Sequence, residues 1–269
     1  MNDIRIVQDM PAEQYHASTE LSKSGLDQFK RSPAHYKAWL DGQETNETTP
    51  AMVFGSAVHC ALLEPKKFES EYSVFSGDRR TKAGKEEYET LKARGIKLIS
   101  AEDQEAIRRM QQNILTHNAA SKLIKPGTYH AEVSVFGEIN GIKTKARMDI
   151  LPHFEAVNGD CIGDIKTTSD ASPAEFAKSI ANFRYHVQAA WYLRFFPTRT
   201  RFVFIAIEKT PPYELAVYEL DQQAIDLGNY EIDRQLELFR SCQDFDSWPG
   251  YSTQTTTLNL PTWAYTKKD

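Results

Sequence analysis

The chain has 269 residues, of which 41% are hydrophobic, and 32 Lys and Arg stand against 37 Asp and Glu for a formal net charge of −5. This length supplies a sizeable core and favours one elaborated domain, 1–269, over two small ones. The acidic balance excludes a generally basic nucleic-acid coat but leaves room for a local basic groove.

No segment predicts membrane insertion or secretion. The longest apolar run, 51–63, is shorter than the roughly 20 residues that cross a bilayer. The first residues lack the basic and apolar blocks of a signal peptide. The three cysteines, Cys60, Cys161 and Cys242, are far apart and form no CxxC pair. We therefore expect a cytoplasmic protein of bacterial or phage origin, with no membrane contact, zinc knuckle or iron–sulfur cluster.

The first part of the chain, 1–125, carries helix signals. Ser22 is placed to cap a short amphipathic helix, and Pro33 begins another. A helix over 50–64 is apolar nearly all round, which predicts that it is buried. Ser100 opens a further helix that runs to about residue 116.

The pattern then changes to strands. Two alternating segments, 129–138 and 142–151, flank Asn140-Gly141, which is the strongest short signal for a hairpin. In the first of them, Ala131, Val133 and Val135 are predicted to share one face. Three more strands are predicted at 161–167, 201–207 and 213–220.

Helices are predicted between and after these strands. Ser172 begins a capping-box pattern that opens helical sequence to about residue 196, with a break near Asn182. A last helix covers 222–242. The fold class is therefore α/β (α+β): a mixed sheet of about five strands at 126–221, with helices before it and a C-terminal helix and tail at 222–269.

An acid–acid–lysine cluster carries the clearest chemistry. Residues two apart on a strand face the same side, so Asp164 and Lys166 point together. Asp149, on the preceding strand, is expected to lie beside them. Two carboxylates suit Mg²⁺, and a lysine can stabilise charge that develops on a phosphate. The alternative is a surface ion pair at the edge of the hairpin.

Other polar residues are placed to join this cluster. His59 interrupts the apolar helix, and it is either a ligand or a core histidine. Glu132 faces outward from its strand, either toward the cluster or toward solvent. Gln188 and Tyr192 form an i,i+4 pair on the helix after the D-x-K strand, where they either approach the carboxylates or pack the helix.

A basic segment lies within the first part of the chain. Arg79, Arg80, Lys82 and Lys85 place four positive charges within seven residues. They either contact phosphate groups or form a solvated face.

The order of these residues resembles the PD-(D/E)XK nucleases, in particular the RecB-like branch with its H…D…D-x-K…Q-x-x-x-Y layout. More narrowly, the chain resembles the catalytic domain of RecE-type exonucleases. The resemblance covers nearly the whole chain through these pieces: Leu21-Ser-Lys-Ser-Gly-Leu, Ser32-Pro-Ala-His-Tyr, Gly55-Ser-Ala-Val-His59, Asp78-Arg-Arg-Thr-Lys-Ala-Gly, Lys145-Ala-Arg-Met-Asp149, Asp164-Ile-Lys-Thr-Thr, Tyr185-His-Val-Gln-Ala-Ala-Trp-Tyr192 and Trp248-Pro-Gly-Tyr251.

The resemblance implies a role for each matching residue. Asp149, Asp164, His59 and the main-chain carbonyl of Ile165 would bind Mg²⁺, with Mn²⁺ as a substitute because imidazole suits softer ions. Lys166 would be the catalytic lysine. Glu132 fits this scheme less closely as a catalytic acid. The predicted DNA contacts are Arg79, Arg80, Lys82, Arg147, Gln188 and Tyr192.

The resemblance also implies an activity. It is Mg²⁺-dependent digestion of double-stranded DNA ends in the 5′-to-3′ direction, which leaves 3′ single strands for a RecT-type annealing protein in recombination. A prophage setting and a homo-oligomeric ring, such as a tetramer, belong to the same expectation. The alternatives are another RecB-like repair nuclease, acting as an endonuclease or with 3′ polarity, and a non-catalytic DNA-binding module. A Cas4-like nuclease is disfavoured, since a four-cysteine cluster is absent from the sequence.

Overall fold

A computed structural model describes residues 4–43, 49–78 and 80–265. Its strands are β1 (Arg5–Val7), β2 (Tyr72–Val74), β3 (Lys97–Ile99), β4 (Tyr129–Ile139), β5 (Ile142–Pro152), β6 (Cys161–Thr168), β7 (Arg201–Glu208) and β8 (Leu215–Glu219). Its helices are α1 (Ala12–Ala17), α2 (Lys23–Arg31), α3 (Pro33–Leu40), α4 (Pro50–Leu63), α5 (Pro65–Glu71), α6 (Lys82–Ala93), α7 (Ala101–Thr116), α8 (Asn118–Leu123), α9 (Pro173–Asn182), α10 (Tyr185–Leu193), α11 (Gln222–Asp244) and α12 (Thr262–Tyr265).

A six-stranded mixed sheet lies at the centre of the fold. Its order is β1-β4-β5-β6-β7-β8, and β6 and β7 pair in parallel whereas the other neighbours are antiparallel. The predicted α/β class, with helices around a mixed sheet, is confirmed. The central sheet has six strands where about five were predicted, because β1 adds an edge. Strands β2 and β3 form a separate parallel pair. Each of these three strands has only three residues, which is too short to show an alternating pattern.

Local sequence signals explain most element boundaries. Asn140 and Gly141 have φ angles of 50° and 78°, as the turn of a two-residue hairpin requires. The side chains of Ser22 and Ser100 cap α2 and α7 as predicted. The capping box at Ser172 is wrong, since its side chain accepts no cap hydrogen bond and instead bonds to the Asp170 carboxylate.

Two hydrophobic clusters cover the two faces of the sheet. Strand β7 shows this directly, because Phe202 and Phe204 belong to one cluster whereas Val203 and Ile205 belong to the other. The first cluster includes residues of α2, α10 and α11, and the second includes residues of α4, α7 and α8. Helices therefore pack on both faces, and side chains from either layer can reach the strands between them.

Helix α4 is buried along only part of its length. Ala57, Val58 and Ala61 are almost fully buried in the second cluster, but Met52 and Val53 are 54% and 39% exposed. The prediction that the whole apolar helix is buried is therefore wrong for its first turns. These turns line a cleft instead of packing on the sheet, so apolar composition alone does not reveal their exposure.

Helix α11 is the longest helix in the described part of the chain. Asp221 caps it by accepting a hydrogen bond from the Ala224 N–H, and Ile225, Ile232 and Phe239 face the first cluster. Its remaining faces are largely polar. Across the residues that the structure describes, no helix combines the length and the apolar character needed to cross a membrane.

Candidate active site

The site begins at a break in the alternation of β4. Val133 and Val135 lie in the first hydrophobic cluster, whereas Ala131 packs against the second. The prediction that these three residues share one face is therefore wrong. Glu132, which lies between Ala131 and Val133, has a φ of 50°. This is a left-handed conformation that residues other than glycine rarely adopt. This conformation turns the strand and sets the direction of the Glu132 carboxylate.

The neighbouring strand changes faces at the matching position. In β5, Met148 belongs to the first cluster and Ile150 to the second. Because Ala131 pairs with Ile150 and Val133 pairs with Met148, Glu132 stands across from Asp149 in the register. Both strands therefore break their alternation at one point, and two carboxylates meet there.

His59 reaches the same point from helix α4 on one face of the sheet. Its Nδ1 lies 3.2 Å from Oδ2 of Asp149. One ligand atom each from His59, Glu132 and Asp149 lies within 4.8 Å of the others. Among the described residues, these three form the group whose ligand atoms lie close enough together to hold a metal ion.

The electrostatics of the group favour a bound cation. Burial raises the pKa of Asp149 well above its ordinary value, and the negative charges of Asp164 and Glu132 raise it further. Burial lowers the pKa of His59, although the Asp164 charge opposes that change. A divalent cation would offset the repulsion among the carboxylates, and a neutral imidazole is the form that ligates metals.

Asp164 and Lys166 form the second half of the site on strand β6. The Lys166 Nζ lies 2.6 Å from Oδ2 of Asp164, so the two side chains point together as their spacing predicts. Burial is the largest single influence and lowers the pKa of Lys166, but the charges of Asp164 and Asp149 and the contact with Asp164 raise it, and the net shift of the pKa is upward. The lysine therefore keeps its positive charge.

Helix α10 supports Asp164 from the other face of the sheet. Asp164 is only 1% exposed. Its Oδ1 accepts a 2.5 Å hydrogen bond from Gln188 Nε2. Oδ2 accepts no hydrogen bond of good geometry, although the Lys166 ammonium lies beside it. A buried carboxylate oxygen with spare acceptor capacity is suited to a cation ligand.

The imidazole and two carboxylates of the close group fit a divalent cation, but this group differs from the predicted set of ligands. Glu132 belongs to the close group, whereas Asp164 lies outside it. Ile165 was predicted to offer its carbonyl to the metal, but its N–H donates a 2.9 Å hydrogen bond to Oδ2 of Asp149. His59, Glu132 and Asp149 are the residues that would hold the ion, and the predicted roles of Asp164 and the Ile165 carbonyl stay predictions.

Two cavities open on this centre from opposite sides. The smaller, of about 280 Å³, is lined by the side chains of Asp149, Asp164, Lys166, Gln188 and Tyr192 and by residues of α1 and α2. The larger, of about 520 Å³, is lined by His59, Glu132 and Arg147 and by the exposed start of α4. The centre therefore lies where a substrate strand can approach both the acids and the lysine.

The residues predicted to contact DNA occupy different settings. Arg147 donates to Glu132 Oε2 at 2.7 Å, to the Met10 carbonyl and to Ser134 Oγ, so it holds the acid of β4 in place. Tyr192 lines the smaller cavity, and burial raises its pKa well above the usual value. The predicted DNA contacts of Arg147, Gln188 and Tyr192 stay predictions.

The described part of the basic segment pairs with neighbouring acids. Arg80 and Lys82 are exposed at the start of α6, and they pair with the nearby acids Asp78 and Glu86. Arg79 lies outside the described residues. Its predicted DNA contact, like those of Arg80 and Lys82, stays a prediction.

Sequence reasoning missed three residues near the Asp164–Lys166 pair. Tyr15 and Lys23 line the smaller cavity. The ring of Tyr185 lies 4.8 Å from the Lys166 Nζ. Lys23 and Tyr185 lie within matching pieces of the family resemblance, which was the available signal. Tyr15 had none, because its placement depends on the docking of α1 through Lys145, whose Nζ donates to the Tyr15 carbonyl.

Comparisons with known proteins agree with this fold. The profile of a family described as a PDDEXK-like domain of unknown function (DUF3799) matches residues 22–261. The crystal structure of a "putative exonuclease" from Eubacterium rectale is similar with a TM-score of 0.65 and 13% identity, over 98% of this chain and 100% of that chain. At this identity the likeness concerns the fold. No curated protein matches the chain. The resemblance to PD-(D/E)XK proteins is confirmed, whereas the RecE type stays a prediction.

Proposed function

This chain belongs to the DUF3799 family of PDDEXK-like domains, and from that premise we propose that it is a divalent-metal-dependent deoxyribonuclease. The observation that carries the proposal is the meeting of His59, Glu132 and Asp149 beside the Asp164–Lys166 pair. A module that only binds DNA has no need of a buried lysine between acids, because burying such charges is unfavourable unless they are used or fully paired.

The side chains divide the work of phosphodiester hydrolysis. A divalent ion, when bound, activates water and neutralises charge on the phosphate. Lys166 keeps its proton and stabilises the negative charge that develops on the phosphate oxygens. Gln188 holds Asp164 in orientation, and Arg147 does the same for Glu132. Glu132 and Asp164 thus reach the centre in fixed positions.

The finer proposal is a 5′-to-3′ exonuclease that acts on linear double-stranded DNA and leaves 3′ single strands for recombination. It is supported by the RecE-type pieces of the sequence and by the similar fold of the Eubacterium rectale protein, which is described as an exonuclease. On this proposal Mg²⁺ is the ion, with Mn²⁺ as a substitute. The partners are duplex DNA ends, a RecT-type annealing protein and further copies of the chain in a ring.

Digestion of linear and covalently closed circular duplex DNA with Mg²⁺ tests the proposal. An exonuclease degrades only the linear form. Nicking of the circle would identify an endonuclease, and binding without loss of either form would identify a non-catalytic module. Linear duplexes labelled at the 5′ or the 3′ end then give the polarity, because a 5′-to-3′ enzyme releases the 5′ label first.

A further inference from the structure

A lysine has a long and flexible side chain, so a catalytic lysine needs contacts that fix its ammonium group. Asp164 supplies one contact to Lys166, through the 2.6 Å approach of Oδ2 to Nζ. A second contact comes from helix α10, where the ring of Tyr185 has its centroid 4.8 Å from the same Nζ. An ammonium group at this distance from an aromatic ring is attracted by its electron-rich face.

The position of Tyr185 is set by a rigid surrounding. Arg184, the residue before it, is 6% exposed and has a left-handed φ of 55°. Its guanidinium binds Asp27 on α2 at 2.6 Å and Glu231 on α11 at 2.9 Å. The start of α10 is therefore attached to two other helices, and Tyr185 cannot shift without disturbing these contacts.

Other aromatic rings hold the ring of Tyr185 itself. Phe204 of β7 lies 5.7 Å from it, and Phe183 stacks on it at 5.6 Å. Phe204 is fully buried in the strand next to β6, so the ring has a fixed support beside the strand that bears Lys166. The chain has thus placed an aromatic surface against the lysine side chain, which is only 18% exposed.

From this geometry we infer that Tyr185 is a positioning residue for the reaction, whose ring face holds the Lys166 ammonium toward the substrate phosphate. The inference rests on the proposed nuclease function. The ring acts through Lys166 and touches no reacting atom, so its hydroxyl is dispensable. The pKa of Tyr185 agrees with the short distance to Lys166. Burial raises this pKa, and the nearby Lys166 charge lowers it by a smaller amount.

Single-turnover digestion of linear duplex DNA tests the inference, with wild type, Tyr185→Leu and Tyr185→Phe compared at saturating DNA. Tyr185→Leu should lower the rate about tenfold, which corresponds to about 1.4 kcal/mol. The DNA concentration at half-maximal rate should stay within about twofold, because phosphate contacts elsewhere are unchanged. Tyr185→Phe keeps the ring face and should retain the wild-type rate. A tenfold loss in Tyr185→Phe would overturn the role of the ring face.

Tyr218→Leu is the matched control. Tyr218 stacks on Phe176 in the same aromatic cluster, and no contact joins it to Lys166 in the described structure. It should lower the melting temperature without changing the rate per folded molecule. If Tyr218→Leu and Tyr185→Leu lower the rate equally, Tyr185 has only a packing role. Should Tyr185→Leu fail to fold, Tyr185→Met, an unbranched replacement, takes its place in the comparison.

A double-mutant cycle with Lys166→Ala separates the two proposals. In the Lys166→Ala background, Tyr185→Leu should cause no further loss, because the group that it positions is gone. An equal additional loss there would contradict the inference. If wild type digests no DNA, the proposed function fails. If Lys166→Ala keeps the full rate, the role given to the lysine fails and the inference fails with it, while the nuclease function stands. If Lys166→Ala is impaired but Tyr185→Leu is not, the inference alone fails.

Discussion

Because Glu132 has a left-handed backbone, we predict that glycine at this position is more stable than alanine, the reverse of the usual order in a strand. Two variants, Glu132→Ala and Glu132→Gly, remove the same carboxylate and the same 2.7 Å ion pair with Arg147. Both also remove the negative charge that raises the pKa of Asp149. They differ only in the Cβ atom. Their difference in stability therefore isolates the backbone strain at φ 50°.

The expected magnitude follows from two opposing terms. At an ordinary strand position alanine is more stable than glycine by roughly 0.5–1 kcal/mol, since glycine loses more chain entropy. In the left-handed region a Cβ costs roughly 1–2 kcal/mol. At Glu132 the second term is larger, so Glu132→Gly should be more stable than Glu132→Ala by about 1 kcal/mol, or about 2 °C in melting temperature.

Equilibrium unfolding in urea measures this difference. Glu138, exposed on the same strand and outside the left-handed region, is the control position. There the alanine variant should be the more stable of the pair. Both Glu132 variants should lose nuclease activity alike, because both lack the acid. If Glu132→Ala proves as stable as Glu132→Gly, the backbone at Glu132 is not strained, and a left-handed residue does not set the direction of this acid.

Three further predictions concern other parts of the molecule. His59→Ala should lower Mn²⁺ affinity in calorimetric titration and abolish most nuclease activity while the protein stays folded; unchanged affinity would return His59 to a packing role. Lys145→Met should lower the free energy of unfolding in urea by about 1–3 kcal/mol, because buried carbonyls that accept from its Nζ lose their partner; a change below about 0.5 kcal/mol would contradict that. Arg80→Ala with Lys82→Ala should weaken DNA binding and reduce its dependence on salt, and an unchanged salt slope in a binding titration would mean that the segment is only a solvated face.

Much of the catalytic geometry could be predicted because strand spacing is a strict constraint. The side chains of Asp164 and Lys166 meet because they lie two residues apart on β6. The hairpin at Asn140-Gly141 placed β5 beside β4, and Asp149 followed from its position on β5. These inferences needed only periodicity and turn chemistry.

The parts that could not be predicted depend on non-local contacts or on unusual backbone angles. Nothing in the sequence around Glu132 marks a left-handed residue, because only the folded strand pair holds it there. The pairing of Arg147 with this acid depends on that same turn. Apolar composition could not show that Met52 faces a cleft, since composition does not say where the sheet ends. Strands of three residues, such as β1, are set by their partners.

The proposed metal-dependent nuclease centre is formed by the acids around Asp149. Incubation of linear duplex DNA with wild type and with Asp149→Asn, each in Mg²⁺ and in EDTA, tests it most directly. Asp149→Asn keeps the size of the side chain and removes its charge, and the melting temperature of each sample verifies folding. Wild type should digest the DNA in Mg²⁺ but not in EDTA, and Asp149→Asn should digest it in neither. Digestion that persists in EDTA, or an undiminished rate in Asp149→Asn, would contradict this proposal.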